Sequence, residues 1–100
     1  MIDFGNGVAK TYNDLVISEE TTVFDILKQA TEKNALDLKY KDYGGELGVF
    51  IESIEGVGKD PTAKKWWQYW VNNIYSQVGV SSYNVKAGDI IEFKFIQGQV

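Results

Sequence analysis

Only one stretch of this chain carries helical periodicity, and it bounds what the rest can do. Val23, Ile26, Leu27 and Ala30 recur at the spacing of one helix face. Thr22 with Asp25 three residues later supplies an N-cap and its reciprocal acid. The segment runs to about Lys33 and stops at Asn34, a residue that tolerates a left-handed cap. Everything else reads as strand or turn.

Ile2-Asp3-Phe4 alternates ahead of Gly5-Asn6-Gly7, a turn-forming triplet. A second strand is expected within residues 10–17, around Tyr12, Leu15 and Ile17, though its alternation is imperfect. After the helix, Leu36, Leu38 and Tyr40 alternate with Asp37 and Lys39, the pattern of a half-buried extended segment. Gly44, Gly45 and Gly48 break the chain before a strand at Val49-Phe50-Ile51-Glu52-Ser53-Ile54. Glu55-Gly56-Val57-Gly58-Lys59-Asp60-Pro61 reads as a flexible loop around the only proline. Trp66-Trp67-Gln68-Tyr69-Trp70-Val71 is a strand by propensity. Asn72-Asn73, both tolerant of positive φ, turns it into Ile74-Tyr75. A further turn at Lys86-Ala87-Gly88-Asp89 leads into Ile90-Ile91-Glu92-Phe93-Lys94-Phe95, the cleanest alternation in the chain. One short helix cannot bury the apolar faces of five or six strands unless it lies across a single curled sheet. The order of elements therefore predicts an α+β fold, a β-grasp-like (ubiquitin-like) mixed sheet with one helix packed across one face. The other face must meet water, a neighbouring domain or a ligand.

Length and composition narrow the function. At 100 residues and 44% hydrophobic, residues 1–100 make one domain with a core that needs no staples. With neither Cys nor His there is no disulfide or zinc framework, no Ser-His or Cys-His nucleophile and no imidazole proton shuttle. All ten basic residues are Lys, and the net charge is −4, so nucleic acid is a poor partner. The first fifty residues hold five Lys against nine acids, the last fifty five against five. All three Trp lie in the neutral half, where a binding surface is sought. No apolar run approaches the roughly 18 residues that span a bilayer, and no leader or anchor is read in this segment, so direct membrane insertion is not expected.

The punctuation from Thr22 to Phe95 resembles the transcobalamin-like carboxy-terminal domain family (DUF4430 type), small modules of bacterial surface proteins related to the β-domain of cobalamin carriers. The residues that carry it are Thr22-Val23-Phe24-Asp25-Ile26-Leu27 and Gly48-Val49-Phe50-Ile51-Glu52-Ser53-Ile54-Glu55-Gly56. Trp67-Gln68-Tyr69-Trp70-Val71-Asn72-Asn73, Gly79, Tyr83 and Gly88-Asp89-Ile90-Ile91-Glu92-Phe93 follow in order. The resemblance implies an extracellular or cell-surface location. It also implies a corrinoid such as cobalamin as a ligand, held in a sandwich whose other half is a separate helical domain. Where the family hairpin usually ends Asn-Gly, this one has Asn72-Asn73.

The aromatic strand holds the candidate site. Side chains alternate along a strand, so Trp67, Tyr69 and Val71 share one face and Trp66, Gln68 and Trp70 the other. The first set is assigned to the helix side with Ile91, Phe93 and Phe95, because the other parity of the last strand carries Glu92 and Lys94. Trp66 and Trp70 then stand on the open face. Exposed Trp residues bind flat ligands, sugar rings or a partner's apolar patch; alternatively loop side chains cover them, or they staple a cross-strand pair. The hairpin tip, Asn73, Ile74, Tyr75, Ser76 and Gln77, places amide, hydroxyl and aromatic groups beside them.

Other constellations read as structural. Gly44-Gly45-Glu46-Leu47-Gly48 lacks the Lys-Ser or Lys-Thr of a phosphate loop. Glu52 and Glu55, three apart in extended chain, face opposite sides and do not form a glycosidase pair. Asp37, Asp42 and Glu46 lack calcium-loop order, and Lys64-Lys65 beside Trp66 reads as a shield for an exposed strand end in preference to a site for an anionic group. The expectation is a noncatalytic binding module with no cofactor, using Trp66, Trp70, Asn73, Ile74, Tyr75 and Gln77 to bind a small molecule or a neighbouring protein domain. A structural or adhesive domain and a carbohydrate-binding module are the alternatives.

Overall fold

In the computed structural model, the structure describes residues 1–5, 7–12, 15, 17–18, 20–44, 48–58 and 64–97. Asn6 of the first turn, residues 45–47 of the glycine break and residues 59–61 of the proline loop lie outside them. Among the described residues nine elements follow in order: β1 (Ile2–Asp3), β2 (Ala9–Lys10), α1 (Val23–Lys33), β3 (Leu38–Asp42), β4 (Val49–Ile54), β5 (Val57–Gly58), β6 (Lys65–Val71), β7 (Ile74–Tyr75) and β8 (Ile91–Gln97).

The helix begins where its cap dictates. Thr22 Oγ1 accepts from the Asp25 N–H at 3.1 Å while the Asp25 carboxylate accepts from the Thr22 N–H at 3.0 Å, a complete capping box. Loss of such a cap costs about 1 kcal/mol. At the other end the left-handed residue is Ala35 (φ 55°), not Asn34, whose φ is −111°. Asn34 closes the helix through its side chain instead, donating Nδ2–H to the Ala30 carbonyl at 2.8 Å.

Five strands make a mixed sheet in the order β2-β1-β8-β6-β7, with β1 parallel to β8 at its centre and the remaining pairs antiparallel. With α1 across one face this is the expected α+β, β-grasp-like arrangement. Val23, Phe24, Ile26 and Leu27 of α1 join Ile2, Tyr69, Val71, Phe93 and Phe95 in one buried cluster. Each large aliphatic in it contributes roughly 1.5–3 kcal/mol by leaving water. Gly5 is required where β1 ends: its φ is +74°, and a Cβ there would stand 2.2 Å from the Phe95 carbonyl oxygen.

Three further sequence expectations change, the first being that Val57-Gly58, read as part of a flexible loop, pairs with β4 as β5. The strands divide into two sheets rather than one, since β3, β4 and β5 form a separate three-stranded sheet. A register shift between Lys39 and Tyr40 leaves Glu52 of β4 without an opposite residue. Ile51 and Ile54 thereby both reach the core although three apart. The second strand is shorter and earlier than expected, only Ala9–Lys10. Tyr12, Leu15 and Ile17 pack partly buried against the core without strand pairing, their two- and three-residue spacing fitting no ladder.

Candidate functional site

Strand β6 sorts its side chains as alternation requires. Trp67, Tyr69 and Val71 are buried on the helix side with Phe93 and Phe95, and Trp66 and Trp70 are half-buried on the other face. Trp67 donates its indole N–H to the Val57 carbonyl at 2.8 Å, which ties the five-stranded sheet to β5. Phe4 meets Trp67 edge-on at 5.6 Å and Phe95 tilts against it at 5.4 Å. These contacts identify Trp67 as an anchor of the core.

On the opposite face, register sets the neighbours. Trp66 lies opposite Ile96, Gln68 opposite Lys94, and Trp70 opposite both Glu92 and Tyr75. Trp70 and Tyr75 tilt together with ring centroids 5.2 Å apart. Lys94 sets its ammonium 4.8 Å from the Trp70 ring centroid and 3.9 Å from the Glu92 carboxylate. Between the two tryptophans Gln68 is buried at 5% exposure, its amide donating to the carbonyls of Ile96 at 3.1 Å and Gln97 at 3.0 Å. Four residues of strand put the Trp66 and Trp70 backbones about 13 Å apart. They form two separate contact points and cannot clamp one ring between them.

The hairpin beyond β6 turns on Asn72 (φ 51°) and Asn73 (φ 68°), both left-handed as a two-residue β-hairpin turn requires. Asn72 also fastens the hairpin to the β8 approach. Its N–H donates to the Ile90 carbonyl at 2.8 Å, its Oδ1 accepts from the Ile90 N–H at 2.9 Å, and its Nδ2 donates to Asp89 at 3.0 Å. The Lys86 N–H above all, and then the Asn72 side-chain amide, hold the Asp89 carboxyl below its ordinary range.

After Tyr75 the chain leaves β6, and a hollow of about 230 Å³ opens between β6, residues 75–80 and the start of β4. Trp66, Tyr75 and Gln77 line it, joined by Phe50 and Val78. Its floor is pinned by Tyr69, whose hydroxyl donates to the Val78 carbonyl and accepts from Ser76 Oγ at 2.9 Å. Burial pushes the Tyr69 phenol above its ordinary value, with Ser76 acting against the shift.

Three of the six expected site residues therefore meet in one hollow. Trp70 lies on the open face and is joined to them through Tyr75, while Asn73 and Ile74 project at the tip, Ile74 at 72% exposure. Phe50, Val78 and Lys94 are neighbours that sequence reasoning missed. Phe50 was legible in principle, since it alternates with buried Val49 and Ile51. Nothing local marked Val78. Among the described residues no three carboxylates converge as a metal site, and no helix is long and apolar enough to cross a membrane.

Among the described residues, the fold and this cleft define an α+β, β-grasp-like arrangement of one helix on a mixed sheet, with an aromatic surface along the margin of that sheet. The chain belongs to the family described as Domain of unknown function (DUF4430), whose model matches residues 20–97. Among solved structures it is similar to haptocorrin, crystallised in complex with Cbi, at TM-score 0.73 and 16% identity; the match covers 81% of this chain and 20% of that one. It is also similar to a protein from Ruminococcus gnavus ATCC 29149 described as a "putative metal binding protein", at TM-score 0.72 and 17% identity, covering 98% of this chain and 93% of that one. Likeness at such identities concerns the fold. No curated protein sequence matches the chain.

Proposed function

We propose that this domain is a noncatalytic binding module of a secreted or cell-surface bacterial protein, and that it takes one margin of a flat, partly apolar ligand, a corrinoid or a molecule of similar shape. The observation that carries the reading is the meeting of Trp66, Tyr75 and Gln77 with Phe50 in one cleft, extended by the Trp70–Tyr75 pair. Aromatic faces supply contact area at low conformational cost, and Gln77 supplies a hydrogen-bonding group. At about 230 Å³ the cleft falls below the roughly 300–1,000 Å³ of pockets that enclose a small ligand. It suits the edge of a ligand whose other side is covered elsewhere. The fold likeness to haptocorrin, whose matched region is a fifth of that chain, supports a module that works beside a second domain.

Exposed Ile74 at the tip and Val78 beside the cleft, 72% and 47% exposed, favour a second reading, an adhesive domain that docks a neighbouring protein through the same aromatics. Titrating tryptophan fluorescence of the folded chain with cobinamide, cobalamin and an oligosaccharide panel separates the two. Saturable quenching by the corrinoids, lost in Trp70→Ala and weakened in Gln77→Ala, is the expected result. A flat response to every ligand, with self-association that Trp70→Ala abolishes, overturns it in favour of docking.

A further inference from the structure

A second hollow, of about 400 Å³, lies between α1 and the five-stranded sheet, and the reading above does not use it. Leu27 and Ala30 of α1, Ile91 and Phe93 of β8, and Tyr12 and Leu15 form much of its wall. The hollow opens partly to solvent, and its lining is mostly apolar. Its volume lies within the range of small-ligand pockets. Water gains little there, because a retained water needs two to four polar partners.

The wall is not purely apolar: it carries Asp89 and the Met1 α-ammonium, which donates to the Ile91 carbonyl at 2.8 Å and feels the charge of Glu92, also on the lining. The Tyr12 hydroxyl is sealed from solvent and has no hydrogen-bond partner among the described residues. The hydrogen-bond donors on Asp89 are the Lys86 N–H at 2.9 Å and Asn72 Nδ2 at 3.0 Å, and the Lys86 charge acts on it from further off. Asn72 is itself fixed to Ile90, which keeps the carboxylate in place. The Met1 ammonium is already engaged by the Ile91 carbonyl and the charge of Glu92, whereas Asp89 is held at the side of the slot by amides, so in a chain of net charge −4 the carboxylate favours a positive head on an apolar body.

We infer that this hollow is a second binding site, for a short aliphatic molecule with a cationic, hydrogen-bond-donating head, of the primary alkylammonium class, its chain between α1 and β8 and its head at Asp89. The site is independent of the aromatic cleft.

Titration of the full chain with octylammonium, octanol and octanoate, followed by NMR, tests it. Octylammonium is expected to shift the Leu27 and Ile91 methyl signals saturably, to leave the Trp70 indole unmoved, and to bind at least about tenfold more tightly than octanoate. Asp89→Asn should erase that preference while keeping octanol binding, and Ala30→Phe, which fills the slot, should abolish all three. Equal binding of octanoate, no saturable shift at Leu27 and Ile91, or shifts confined to Trp70 and Tyr75 would overturn the inference. Should Ala30→Phe fail to fold, the three-ligand series on the unmodified chain decides alone.

Discussion

Lys94 holds its ammonium 4.8 Å from the centre of the Trp70 ring, from the strand next to that of the indole. Pairing places Trp70 opposite Glu92 and Lys94 opposite Gln68, so the lysine reaches Trp70 along the diagonal of the ladder. The same lysine lies 3.9 Å from Glu92. One cation thus orders an indole and a carboxylate on the face proposed to meet a ligand. A cation over an indole contributes about 0.5–1 kcal/mol at accessible sites, more than a loose surface ion pair at that distance.

A double-mutant cycle measures this. Lys94→Gln should lower unfolding free energy by about 0.5–1 kcal/mol in denaturant, and combined with Trp70→Phe it should show a coupling of a few tenths of a kcal/mol or more. Strict additivity would mean that the contact contributes nothing.

Gly5 has no tolerable replacement. Its φ of +74° disfavours any side chain, and the Phe95 carbonyl oxygen 2.2 Å from the built Cβ position leaves no room. Gly5→Ala is expected to cost more than about 2 kcal/mol, because backbone strain and the displacement of β8 add. Thermal denaturation checks this, and a variant within 0.5 °C of the parent would refute it.

Asn73 separates turn chemistry from recognition. Its φ of 68° suits glycine better than any other residue. Asn73→Gly should stabilise the hairpin by roughly 0.5 kcal/mol in denaturant titration. If the Asn73 amide contacts the ligand, the same change weakens corrinoid quenching; unchanged quenching would remove Asn73 from the site.

Tyr69 gives an alkaline signature. Burial raises its phenol above the ordinary value near 10. The folded state therefore holds the proton more tightly than the unfolded chain. The stability this contributes is fully present below pH 10 and is lost as pH rises from there through the folded-state value. Tyr69→Phe removes the titrating group along with its bonds to Ser76 and Val78. Unfolding free energy measured from pH 8 to 11.5 should start lower in the variant and decline less steeply. Parallel curves would show that Tyr69 does not govern the alkaline limb; Tyr12, also raised by burial, would then be the group to vary.

Legibility divides along physical lines. The helix, its capping box and its core face follow from residues at most four apart, the range of helical contacts. The Asn72–Asn73 turn and the parity of β6 are equally local, and the alternation of β8 identified which face of β6 is inside. Ala35 taking the left-handed position in place of Asn34 shows the limit of propensity, since the Asn34 side chain had a better partner in the Ala30 carbonyl.

Local chemistry in the chain thus determined the α+β class, the one-sided helix and the set of side chains that leave the core face of β6. Tertiary structure alone decided that the strands split into two sheets, that Gln68 is sealed against the end of β8, and that Phe50 comes to the cleft of Trp66, Tyr75 and Gln77. It likewise opened the hollow beneath α1. The reason is distance along the chain. Phe50 and Gln77 are brought together by the path of the chain around a shared core, and no periodicity in either segment encodes that path.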